Sequence, residues 1–137
     1  MKTRSIIASL ILLASAVVLA DEVVLADDAP KVIKAEEARN HVDQKCDVTF
    51  KVRRTKHGVN RKTYFLDSRE DFKSPENLGI QISEEMAAEL KAKKGVGEPH
   101  THYADKTIRV TGKVFLQEDR PYIRVESVDD IREVEQK

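Results

Sequence analysis

Between positions 51 and 62 the chain carries Lys51, Arg53, Arg54, Lys56, His57, Arg61 and Lys62 with no acid among them. Guanidinium and ammonium groups at this density suit phosphate or sulfate oxygens, which accept several charge-assisted hydrogen bonds at once. Tyr64 follows directly, and a cationic groove with an aromatic ring binds single strands through phosphates and stacked bases. Lys51, Arg53, Arg54, Lys56, Arg61 and Lys62 are therefore the candidate phosphate contacts, and Tyr64 the candidate stacking ring. Arg109, Lys113 and Arg124 extend the basic set, and Phe115 and Tyr122 offer further rings. Reversing the charge of Arg53 and Arg54 together is expected to abolish such binding. The competing reading is a solvated hairpin whose charges keep strand edges from pairing with other chains. The whole chain is neutral, with 24 basic and 24 acidic residues. A nucleic-acid binder is usually basic overall, so only the local cluster argues for one.

A second constellation is His100-Thr101-His102, flanked by Glu98 and Asp105. Two histidines and a carboxylate can hold Zn²⁺ or Cu²⁺, which makes His100 and His102 candidate metal ligands. Loop histidines more often simply face solvent, and neither His41 nor His57 can be placed beside this pair from sequence. Catalysis finds no support: there is no GxSxG, no HExxH and no Cys-His pair at a recognisable spacing. The carboxylates Asp67, Glu70 and Asp71 read as a polar loop. The single cysteine, Cys46, has no internal disulfide partner and reads as a small buried hydrophobe. No enzyme and no cofactor are expected.

The elements that would position these residues begin after an export signal. Lys2 and Arg4 precede the uncharged run Ile6–Ala20, and Asp21-Glu22 closes it before it reaches the length of a spanning helix. Val23-Val24-Leu25-Ala26-Asp27 repeats Val17-Val18-Leu19-Ala20-Asp21 in outline, so cleavage after Ala20 or Ala26 leaves the same small residue at the cut. The division is a signal peptide over 1–20, a flexible leader over 21–32, one domain over 33–133 and a tail over 134–137. The protein is expected to be periplasmic or secreted, with no stable membrane anchor after cleavage.

Within the domain, Ile33–Val42 reads as a short helix. Cys46–Arg53 alternates as a half-buried strand with Cys46, Val48, Phe50 and Val52 inward. Lys56–Asn60 carries turn chemistry, Lys62–Leu66 is a second strand, Asp67–Asn77 a loop and Leu78–Ile82 a third strand. Ser83 caps a helix that ends before Gly95, with Met86, Ala87 and Leu90 inward. Gly95–Asp105 reads as a loop. Thr107–Leu116 alternates with Ile108, Val110, Val114 and Leu116 inward, and Tyr122–Ser127 returns as its hairpin partner. Val48-Thr49-Phe50-Lys51-Val52 and Val110-Thr111-Gly112-Lys113-Val114 share the frame VTxKV, as neighbours facing one core would. The expected class is mostly β with short helices: a five-stranded OB-fold Greek-key barrel with a helix between strands 3 and 4.

The helix KAEEARNHV, the strand CDVTFKV and the closing hairpin TIRVTGKVFLQEDRPYIRVES resemble small exported bacterial OB-fold domains of the nucleic-acid-binding, tRNA-anticodon-like type. Phe50 departs from the pattern, where similar domains often carry glycine; Gly112 keeps it in the other copy. The bend of the first strand then lies elsewhere, near Arg53-Arg54, or Phe50 fills a roomier core. The resemblance implies a non-catalytic binding module, for single-stranded nucleic acid or another anionic polymer. The alternatives are an envelope protein-interaction or stress module without nucleic-acid binding, and a metal-binding domain.

Overall fold

The computed structural model describes residues 29–135. The export signal at 1–20, the alternative cut after Ala26 and most of the leader lie outside the described residues. No helix among the described residues is long and apolar enough to cross a membrane.

The alternation around Cys46 produces a strand. β1 (Lys31–Ile33) takes in two residues assigned to the leader and pairs in parallel with β2 (Lys45–Lys51). Cys46, Val48 and Phe50 point into the core from β2, while Thr49 and Lys51 face water. Between them, Ala35–His41 forms a 3-10 helix that buries Ala35 and Ala38.

After β2 the chain changes partners within two residues. The Val52 N–H donates to the Lys106 carbonyl and the Arg53 N–H to the Asp67 carbonyl, each at 2.8 Å. Arg54–Gly58 then continues as β3, antiparallel to β4 (Thr63–Asp67). The turn expected at Lys56–Asn60 is therefore displaced. Its first half is held in the ladder with β4, and the reversal falls in a 3-10 turn, Val59–Arg61, ended by Lys62 at φ 52°. The bend of the first strand sits at Val52-Arg53, and Phe50 fills the core beside it.

β4 pairs antiparallel with β5 (Gly79–Ser83), which leads into α1 (Glu84–Lys94). The Ser83 Oγ accepts the Met86 N–H at 3.0 Å, and Glu84 and Glu85 occupy the first turn where the helix dipole favours acids. Gly95 closes the helix at φ 70°, a conformation open to glycine at little cost. Met86, Ala87 and Leu90 are buried, as the spacing required. The expected loop that follows contains a short helix, α2 (Pro99–His102), because Pro99 presets the first helical φ and the Glu98 carbonyl accepts the His102 N–H at 2.8 Å.

β6 (Thr107–Gln117) is the longest strand and serves two partners in turn. Its first part pairs with β2 and with β8 (Ile131–Glu133); its last part pairs with β7 (Arg120–Arg124). The two VTxKV copies do lie side by side, with Val48 opposite Val110. Leu116, expected inside, is 44% exposed, because β6 leaves the core after Val114 to form the hairpin with β7. Glu118 and Asp119 turn that hairpin at φ 54° and 64°, the two-residue geometry whose twist matches paired strands.

The sheet order is β1-β2-β6-β7-β5-β4-β3, with β8 on β6; β1–β2 and β5–β7 are parallel and the other pairs antiparallel. The expected five-stranded Greek-key barrel is corrected to an open mixed sheet of eight strands among the described residues, consistent with an OB-like fold. The physical reason is local. The first expected strand, Cys46–Arg53, ends at Lys51 as β2, the chain after the Val52-Arg53 bend adds β3 where a turn was expected, and β1 and β8 add short flanking strands. The core between the sheet's walls is filled by Val48, Val52, Leu66, Ile80, Ile108, Ile123 and their neighbours.

On the outer wall, Arg109 grips Asp47 with Nε at 2.8 and 3.0 Å from its two carboxylate oxygens and Nη2 on Oδ2. The Arg109 hydrogen bond holds the Asp47 carboxyl below its ordinary value of 3.8, against the effect of burial. A depressed carboxylate contributes stability above its unfolded pKa, and the contribution is lost as pH falls through the folded value. Asp47→Asn is therefore expected to lower the melting temperature at neutral pH, and the gap to wild type should close in acid, as pH falls below the ordinary carboxylate value and through the lowered one. Thermal unfolding of both proteins across that range checks it; a gap that persists in acid would mean the loss is one of packing.

Candidate functional site

Cross-strand register assembles the face of β3, β4, β5, β7 and the end of β6 into two rows. One row runs Lys56, Phe65, Gln81, Arg124; the other runs Arg54, Asp67, Gly79, Tyr122, Phe115. Alternation along each strand puts both rows on the side away from Tyr64, Leu66, Ile80 and Ile82. Phe65 and Phe115 flank Tyr122, with ring centroids 6.2 and 6.0 Å from it. Gly79 permits this: a Cβ there would stand 2.6 Å from the Tyr122 ring.

Beside the rings lies a cleft of about 370 Å³, between the Val59–Arg61 turn and the β6–β7 hairpin. Arg54, Lys56, Arg61, Phe65, Phe72, Arg120 and Tyr122 line it. The Arg54 and Arg120 guanidiniums stand 4.5 and 4.9 Å from the Phe72 ring centroid, within cation–π range. Stacking on the ring leaves guanidinium edges to donate hydrogen bonds. At the rim, Arg61 pairs with Glu118 at 3.2 Å.

Phe72 reaches the cleft because its loop is ordered around Asn77. The buried Asn77 amide donates to Asp67 Oδ1 at 3.1 Å and to the Phe72 carbonyl at 3.4 Å, and accepts the Arg69 N–H at 2.9 Å. Burial pushes the Asp67 carboxyl above its usual range, against hydrogen bonds from Asn77 and Arg54. Arg54 contacts Asp67 at 3.1 Å, so this acid does not stand as an uncompensated charge in the cleft.

The basic cluster of the sequence is thereby divided. Arg54, Lys56 and Arg61 line the cleft, and Lys62 is exposed beside it. Lys51 and Arg53 instead line a separate groove with Glu36, Ser68, Arg69 and Glu70. The cause is the break at Val52-Arg53: Lys51 and Arg53 stand on the β2 side of it, and Arg54 and Lys56 belong to β3, which pairs with β4. Tyr64 is not an exposed platform. Its ring is buried, stacked on His57 with centroids 4.1 Å apart and planes 7° apart, with His100 at 5.4 Å. Phe65, Phe72 and Arg120 are the residues sequence reasoning missed. Tyr64, Phe65 and Leu66 are all apolar, so the strand's phase was hidden, and Phe72 stood alone in a polar loop.

The histidine pair does not converge. Residues two apart on a helix are turned about 200° from each other. His100 packs toward Tyr64 and His57, whereas His102 Nε2 meets Glu133 at 2.6 Å. Among the described residues no group of three or more His, Cys, Asp or Glu is arranged to hold a metal ion.

No family model and no curated protein matches the chain. Several solved structures are similar in backbone. Asparaginyl-tRNA synthetase from Pyrococcus horikoshii aligns at TM-score 0.49 and 15% identity, over 77% of this chain and 23% of that one. Aspartyl-tRNA synthetase from Entamoeba histolytica aligns at 0.49 and 15%, over 79% and 22%. The S. pombe Stn1-ten1 complex aligns at 0.45 and 10%, over 67% and 59%. The chain thus spans less than a quarter of either synthetase.

Proposed function

We propose that the cleft between the Val59–Arg61 turn and the β6–β7 hairpin binds a single-stranded nucleic acid, without catalysis. One observation carries this reading: two guanidiniums held over the Phe72 ring share a cleft with the half-buried Phe65 ring, against which the buried Tyr122 packs. Phosphates need the first kind of group and base faces the second, and few other polymers present both. A single strand fits better than a duplex, because stacked and paired bases hide their faces from protein rings. The residues lining the cleft include no nucleophile placed beside a general base, which favours binding over reaction. The proposal includes export, resting on the sequence of residues 1–20 alone.

Fluorescence anisotropy with a labelled oligo(dT) of about twelve residues tests it, given OB site sizes of about 4–16 nucleotides. Four cations line the cleft, Arg54, Lys56, Arg61 and Arg120. Arg54 is already paired with Asp67 and Arg61 with Glu118, so Lys56 and Arg120 set the expectation: at about 0.7 per neutralised phosphate the log–log salt slope should be about −1.4, or roughly sevenfold between about 50 and 200 mM salt. A duplex of the same length should bind more weakly. Equal binding of single strand, duplex and heparin would reduce the cleft to a general anion surface.

A further inference from the structure

Beyond Phe115 the outer face continues onto β6 and β2. A second hollow of about 200 Å³ lies there, lined by Lys113, Phe115, Arg124 and Glu126. Resting on the nucleic-acid reading above, we infer that Lys45, Lys113 and Arg124 form a second phosphate subsite, so that a longer strand runs from the cleft across β7 and β6 to β2.

The first support is continuity. Phe65, Tyr122 and Phe115 connect the two hollows ring to ring. The second is positioning. Arg124 is set over the Phe115 ring at 5.4 Å, and its Nη2 donates to the Gln81 Oε1 at 3.2 Å. Gln81 is itself buried and donates to Gln117 Oε1 at 3.0 Å, so the guanidinium is tethered to the sheet.

The third support is a pairing that costs stability. Lys45 and Lys113 stand directly opposite each other on β2 and β6, both exposed. Like charges in that relation repel. Neither they nor Arg124 makes an ion pair among the described residues. A phosphate between the two lysines removes the repulsion. Glu126 lies at the edge of the hollow and limits the track on that side.

The two subsites lie on one curved face, about five inter-strand spacings of ~4.8 Å from β3 to β2. A strand of about three nucleotides has too few phosphates to occupy both; one of about twelve has enough. The experiment compares wild type with Lys45→Gln/Lys113→Gln and, separately, Arg124→Gln, using labelled oligo(dT) of both lengths.

For the longer strand, the lysine pair variant is expected to lose about tenfold in affinity. Its salt slope should shrink by about 0.7, the value for one phosphate of a single strand. The short strand should bind each variant within about two-fold of wild type. The lysine variant should also melt no lower than wild type, since it removes a repulsion. Unchanged affinity for the longer strand, or an equal loss for both lengths, overturns the second subsite while leaving the cleft in place. Binding of neither strand by wild type overturns the parent reading and this inference with it.

Discussion

Reversing the charge of Lys56 and Arg120 together is expected to weaken binding of a twelve-residue-scale oligo(dT) by about 100-fold, whereas Arg53→Glu should leave it within about two-fold. Both residues of the double variant line the cleft, and Arg120 is one of the two guanidiniums against Phe72. Each reversal removes a phosphate partner and adds a repulsive charge, so a combined loss near 2.8 kcal/mol is reasonable, or about two decades. Arg53 lies one residue from Arg54 yet lines the other groove. It therefore serves as a control for net charge. Arg54 is left intact, because its removal would strand the buried Asp67 carboxylate and confuse binding with folding. Anisotropy across a salt series reads both variants. A loss of about tenfold in Arg53→Glu, half the free energy for half the change in charge, would mean that the protein is sensed only through its overall field, and the cleft would lose its claim.

The second large effect concerns the fold. Gly112→Val is expected to destabilise the domain by about 2–3 kcal/mol, the upper part of the usual range for overpacking. A Cβ at this position would stand 2.6 Å from the Ile123 Cγ2, too close for any real contact. The residue sits where β6 passes from its ladder with β2 to its ladder with β7, so neither side has slack. In a domain of about 100 residues the loss amounts to a fall of roughly 8–20 °C in melting temperature. Thermal unfolding followed by circular dichroism measures it. A variant melting within a degree of wild type would show that Ile123 can turn aside, and that the glycine is not what allows β6 its change of partner.

Gly112 also shows how far the chain could be read before folding. The VTxKV frame correctly made neighbours of two strands, because residues that face one core share a pattern of period two. Yet the frame places Phe50 and Gly112 at equivalent positions, and the fold uses them oppositely. Phe50 fills the core beside the Val52-Arg53 bend, and Gly112 leaves room for Ile123. Which copy must be small depends on what the third strand, β7, brings over it.

Much of what neighbours a few residues apart govern was legible before folding, although the short Pro99–His102 helix and the exact place of the Val59–Arg61 reversal were not. The alternation of β2, the Ser83 cap, the Gly95 stop and the inward Met86, Ala87 and Leu90 follow from local backbone preferences and the 2.0 and 3.6 periods. The same locality made the basic run from Lys51 to Lys62 visible as a candidate anion surface. How that run is used follows from contacts between distant strands. The partner exchange at Val52-Arg53 turns Arg54 and Lys56 toward the cleft and leaves Lys51 and Arg53 in another groove. It buries Tyr64 against His57 and His100 and brings Phe65, Phe72, Arg120 and Tyr122 together from three separate segments. Hydrogen bonds between distant strands set that register, and no window of sequence contains both halves of such a bond.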